Sequence, residues 1–170
     1  MCTHYSYGVE ITNKITTDVY PYISCLVNEV IEMELQLPEE EQHVSLLENV
    51  YLLKSEFDSL KNYEEKLIFP SVLKVFNSKD NPAVKPTLNL KELEHLTQHK
   101  ELAILKIINN IQLNYHVDHK SALKDILDKL IHTLQGDFVE VKNQWRKMLS
   151  GWNAECPCFQ KATDNSNSLQ

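Results

Sequence analysis

Residues 57–70 read FDSLKNYEEKLIFP, and the position of Glu64 within this stretch decides how the rest of the chain is read. Upstream of it, Leu46, Val50, Leu53, Phe57 and Leu60 recur every three or four residues, which lays them along one face of a helix. Glu64 is the next member of that seam and Leu67 follows it. The periodicity predicts a helix over 40–77, with Pro70 bending or interrupting its final turns because it cannot donate to the preceding turn. A carboxylate in an apolar seam is costly unless something compensates it. Glu64 must reach water at the seam edge, pair with a lysine, accept hydrogen bonds, take up a proton or bind a metal.

Three further helices flank this one. The first spans about 10–36, with Ile11, Ile15, Val19, Tyr22, Leu26, Val30 and Met33 on one face. Pro21 falls inside it and implies either a kink or a break near Asp18. The third covers Asn89 to Tyr115, where Leu93, Leu96, Ala103, Ile107 and Ile111 are expected to face inward with His99 between them. The fourth covers Lys120 to Leu149, with Leu123, Leu127, Leu130, Leu134, Phe138, Val141, Trp145 and Met148 at helical spacing. The stretch 78–87, containing Pro82 and Pro86, reads as a loop. Residues 161–170 are polar and aperiodic, the pattern of a disordered tail. The expected organisation is an arm over 1–9, one domain over 10–150 and a partly disordered tail over 151–170. Connections this short favour antiparallel neighbours, so the expected fold is all-α, an up-down-up-down four-helix bundle.

Composition narrows the partners. A formal net charge of −7 disfavours nucleic acid and anionic membrane surfaces, both of which require basic faces. No apolar run approaches the roughly 20 residues that a membrane span needs. The N-terminal stretch MCTHYSYGVE has neither the basic nor the apolar region of a secretory signal. Four cysteines are too few for a disulfide scaffold, so a reducing, cytoplasmic compartment is expected.

Two groups of side chains carry metal-ligating chemistry. His95 and His99 stand four residues apart, on one helix face and within reach of one ion. Their plain alternative is a solvated His95 and a hydrogen-bonded core His99. Cys2 and His4 precede the first helix while Cys156 and Cys158 follow the fourth, and a bundle would bring this zinc-competent set to one end. Exposed, unligated thiols are the alternative there. Trp145 and Trp152, with Phe138 and Met148, fit either an apolar pocket or simple core. There is no nucleophile elbow, Gly-rich phosphate loop or paired acidic motif, so the sequence presents no catalytic constellation.

The 57–70 stretch resembles the second-helix signature of the hemerythrin-like (HHE cation-binding) domain. Its closest form is that of the iron–sulfur cluster repair proteins, the di-iron regulators of cell morphogenesis and nitric-oxide signalling. Glu64, Glu65, Phe69 and Pro70 match that signature, while its metal-binding histidine falls on Leu60. Residues 14–22 are similar to the family's first helix, with ligand positions near Tyr20 and about Gln36. His99-Lys100-Glu101 resembles the third-helix motif and keeps its histidine. Asp137 to Val141 resembles the approach to the last motif, whose histidine falls on Val141 and whose glutamate falls on Trp145. The resemblance implies a frame for a di-iron centre, which draws ligands from all four helices, with most ligands replaced. On this reading the metal candidates are Glu64, His99 and His95, with iron or zinc as the alternative to no cofactor. Without metal, a buried Glu64–His99 hydrogen bond is expected to tie the second and third helices together. The implied role is a binding, sensing or interaction module for a small molecule or protein partner. The alternative is an iron or zinc protein handling iron, oxygen or nitric-oxide stress.

Overall fold

The computed structural model describes residues 3–77, 90–115 and 121–155, and among the described residues the regular structure is entirely helical. Four long helices form it. The first joins Thr3–Asn13 to Tyr20–Gln36 through a wide, π-helical turn at Lys14–Val19. The second joins Val44–Tyr63 to Phe69–Asn77 through a similar turn at Glu64–Ile68. The third is Leu90–Asn114, and the fourth joins Ala122–Thr133 to Val139–Glu155 through Leu134–Phe138. The first helix therefore begins well before residue 10, and most of the expected arm is helical. The expected loop at 78–87, the tail at 161–170, and Cys2, Cys156 and Cys158 lie outside the described residues, as do the side chains of His4, Leu93, Leu96 and Trp152.

Neither internal proline ends its helix, and the wide turns explain why. Pro21 and Pro70 each follow a π-helical turn by two residues. There the N–H of Tyr20 bonds to the carbonyl of Ile15, and that of Phe69 to the carbonyl of Glu64, one residue further back than in an α-helix. The widened turn makes room for a ring that would otherwise strike the carbonyl four residues earlier. In the first helix, the hydroxyls of Thr16 and Thr17 donate to the carbonyls of Thr12 and Asn13 at 3.0 and 2.8 Å. The loosened turn thus keeps its acceptors partnered.

In the first and second helices the wide turn also shifts the helix phase, which corrects two expectations. Tyr22 is 48% exposed and Leu67 55% exposed, whereas Tyr20, Ile23 and Ile68 are buried in their place. On the third helix the inward row is Thr97, Glu101, Ile104, Ile108 and Ile111. Ala103 and Ile107 are only partly buried. His99, expected inside, is exposed, because the helix turns its Thr97–Glu101 edge to the core instead. On the fourth helix all eight expected inward residues are buried.

One apolar core draws on all four helices. Val44–Tyr63 packs against Leu90–Asn114 and against Tyr20–Gln36. Tyr20–Gln36 also packs against Ala122–Thr133, and Thr3–Asn13 against both Val139–Glu155 and Phe69–Asn77. The turn from the first helix to the second is fixed by the buried carboxylate of Glu34. It accepts the backbone N–H of His43 at 2.9 Å and meets the His43 ring Nδ1 at 2.9 Å. The fourth helix starts at a serine cap, where Ser121 Oγ accepts from the N–H of Lys124 at 3.2 Å. No helix among the described residues is long and apolar enough to cross a membrane.

Candidate functional site

Glu64 has no exposed surface, and its partners come from the first and fourth helices. Tyr20, carried inward by the wide turn of the first helix, donates its phenolic O–H to Glu64 Oε2. Lys142 of the fourth helix donates from Nζ to Glu64 Oε1 and, on its other side, lies 3.1 Å from Glu101 Oε1 of the third helix. Arg146, one turn further along the fourth helix, pairs with Glu101 Oε2. All four helices thus place a polar side chain at one level of the core, and the two carboxylates are matched by two cations.

Aromatic rings wall this cluster. Phe57 meets the Tyr20 ring edge-on with centroids 5.3 Å apart, Phe138 meets Phe57 at 6.3 Å, and Lys142 Nζ lies 6.0 Å from the Phe138 centroid. The dry surroundings act on both titrating partners. Burial first, and then the Glu64 charge and hydrogen bond, raise the Tyr20 phenol well above its ordinary value. Burial pulls the Lys142 ammonium down from its ordinary value while Glu64 pushes the other way. With carboxylates on two sides, the ammonium is the group that makes burial of both acids tolerable. Only Arg146 reaches solvent appreciably, at the rim between the third and fourth helices.

The expected ligand set does not assemble. Glu64 is inside, but His95 and His99 are both exposed, so no Glu64–His99 hydrogen bond joins the second and third helices. Gln36 is exposed as well, and the buried acid at that end is Glu34. Cys25, in an apolar helical stretch, is a free and exposed thiol. Leu60, Val141 and Trp145, where the family resemblance puts iron ligands, are buried apolar core. The side chains around Glu64 do not fit an iron centre: the space beside its carboxylate holds an ammonium, which repels a metal cation, and the neighbouring positions offer carbon. Among the described residues no group of three or more His, Cys, Asp or Glu is placed to hold a metal ion.

Sequence reasoning missed Lys142 and Glu101, although both carried a signal. Lys142 lies four residues after Phe138 and three before Trp145, a seam position as inward as that of Glu64. Glu101 heads the 101–104–108–111 row of the third helix. Opposite charges at two seam positions on different helices are the mark of an internal ion pair. Comparison of the chain with family models, with curated proteins and with solved structures gave no match.

Proposed function

We propose that this chain is a hemerythrin-like antiparallel four-helix bundle in which the ammonium of Lys142 takes the place of the metal, and that it serves as a binding, sensing or interaction module. One observation carries this reading: Lys142 sits between Glu64 and Glu101 at the point where the four helices converge. A bridged metal centre and this cluster solve the same packing problem, since each holds acidic side chains from several helices around one central positive charge. The packing of the first half of the first helix against the end of the fourth, and of its second half against the start of the fourth, supports antiparallel neighbours. An ammonium in that place neither cycles between oxidation states nor offers an open coordination position, so the functional surface lies outside the core.

Metal content tests the reading. Protein expressed with iron and zinc in the medium is expected to carry no stoichiometric amount of either after purification. A full equivalent of either metal, lost on Glu64→Ala, would overturn it.

A further inference from the structure

The ammonium at the centre of the bundle has no redox chemistry, but the phenol that shares Glu64 with it does. Tyr20 has no exposed surface, and its O–H donates to Glu64 Oε2. A phenol gives up one electron more readily than any other oxygen-bearing side chain, and the radical cation it becomes is a strong acid. An exposed tyrosine passes that proton to water. Tyr20 touches none, so without an internal base its oxidation would strand a positive charge in apolar surroundings. Glu64 supplies the base at the end of a hydrogen bond that already exists.

Three features suit the pair to this exchange. Lys142 holds the other Glu64 oxygen, pairing an ammonium with a carboxylate, so Glu64 meets the phenol as an acceptor and not as a second donor. Burial and the Glu64 charge keep the phenol protonated well past neutral pH, so electron and proton leave it together. Phe57 meets the Tyr20 ring edge-on with centroids 5.3 Å apart, and Phe138 stands behind Phe57. Enclosed in this way, a phenoxyl radical is kept from contact with a second radical. Tyr7, Tyr22 and Tyr51, by contrast, are exposed.

We propose that Tyr20 and Glu64 form a proton-coupled one-electron donor, a buried site that holds an oxidising equivalent as a neutral tyrosyl radical. An outer-sphere one-electron oxidant at the surface, such as tris(bipyridine)ruthenium(III), takes the electron from the phenol across one helix, a thickness of about 10 Å, and becomes the ruthenium(II) complex. The Tyr20 O–H bond breaks, its proton passes to Glu64 Oε2, and a carboxylic O–H bond forms there. Re-reduction returns electron and proton to the phenol. No proton crosses the protein surface, so the exchange is indifferent to the pH of the solvent. This goes beyond the role proposed above and does not depend on it.

Flash oxidation of the full chain with tris(bipyridine)ruthenium(II) and persulfate, followed by electron paramagnetic resonance, tests it. Radicals at exposed tyrosines meet other molecules and couple, whereas one at Tyr20 cannot. A tyrosyl signal that outlasts this coupling is therefore expected, narrowed by ring-deuterated tyrosine, lost in Tyr20→Phe and kept in Tyr22→Phe. Its yield is expected to be equal on either side of neutral pH, and its formation to slow in deuterium oxide. Glu64→Gln keeps an oxygen within reach of the phenol but removes the base, so the lasting signal is expected to disappear while circular dichroism shows the helices intact. Where that variant does not fold, the pH and deuterium measurements on the parent chain decide. Absence of a lasting tyrosyl signal, its survival in Tyr20→Phe or in folded Glu64→Gln, or a yield that climbs with pH would each overturn the proposal.

Discussion

Replacing Lys142 by methionine removes the ammonium from between Glu64 and Glu101 while keeping most of the side-chain volume. Among the described residues, the Glu64 carboxylate is then left with the Tyr20 hydroxyl and Glu101 with Arg146. Breaking a buried pair by deleting one partner costs about 3–5 kcal/mol. A second route gives a similar figure. The folded variant can relieve the imbalance by taking up one proton, and neutralising an ordinary glutamate carboxyl at pH 7 costs about 3.7 kcal/mol. The two routes differ in their pH behaviour, and that makes the argument testable. With the proton route open, the folded variant holds more protons than the unfolded chain, so its stability falls as pH rises. Between pH 5 and pH 7 its deficit relative to the parent grows by about 2.7 kcal/mol. Urea unfolding followed by helical circular dichroism at both pH values measures this directly. A Lys142→Met protein with the parent's midpoint and slope at pH 7 would refute the claim that the ammonium compensates two buried acids.

Removing the whole cluster should behave unlike removing part of it. The combined variant Tyr20→Phe, Glu64→Leu, Glu101→Met, Lys142→Met and Arg146→Met is expected to unfold within about 2 kcal/mol of the parent, because buried ion pairs replaced by packed apolar groups are often neutral or stabilising; a loss equal to the sum of the single variants would contradict this. Tyr20→Phe alone, which takes one donor from Glu64, is expected to cost about 1.5–3 kcal/mol in the same assay. Tyr20 should also remain un-ionised in ultraviolet titration after the exposed tyrosines have lost their protons. Its folded value lies above the ordinary 10.0, so its contribution is complete below pH 10 and is lost as the pH passes through the folded value. At the other end of the core, Glu34→Ala leaves the His43 backbone N–H without its acceptor and is expected to cost about 1–3 kcal/mol, with earlier amide exchange at 37–43 as the local signature.

How far the fold could be read in advance depended on whether a helix kept a single phase. On the fourth helix every apolar residue expected to face inward does so, since Leu123 to Met148 hold a period that its wide turn does not displace, although the buried Lys142 was passed over. In the first and second helices the period was legible up to the wide turn and slipped just after it: Tyr22 and Leu67 continue an ideal helix that the backbone leaves at Lys14–Val19 and Glu64–Ile68, while Leu26 and Val30 rejoin the expected buried row. Pro21 and Pro70 did signal trouble there, but a proline says that the regular helix must yield and not how. In the third helix the search for an apolar row passed over Glu101 and so turned His99 inward. The acid belonged to the core because its counter-charges lie on another helix, and a period read along one segment does not contain them.

The same reasoning explains why Glu64 was recognised as anomalous while pairing with a lysine stood only as one alternative beside the Glu64–His99 hydrogen bond and a metal. Burial of a carboxylate demands a positive charge or a set of donors, but the demand does not specify a metal, an imidazole or an ammonium. Geometry chooses, and here the choice follows from the wide turns. The turn at Lys14–Val19 swings Tyr20 into the core, the turn at Glu64–Ile68 begins at Glu64 itself, and Leu134–Phe138 leads into the turn that bears Lys142. On the proposed reading, three irregular turns that suit a metal centre have been retained around a charge supplied by the chain. A lysine needs no loading and cannot be lost to a chelator, so the centre becomes permanent structure.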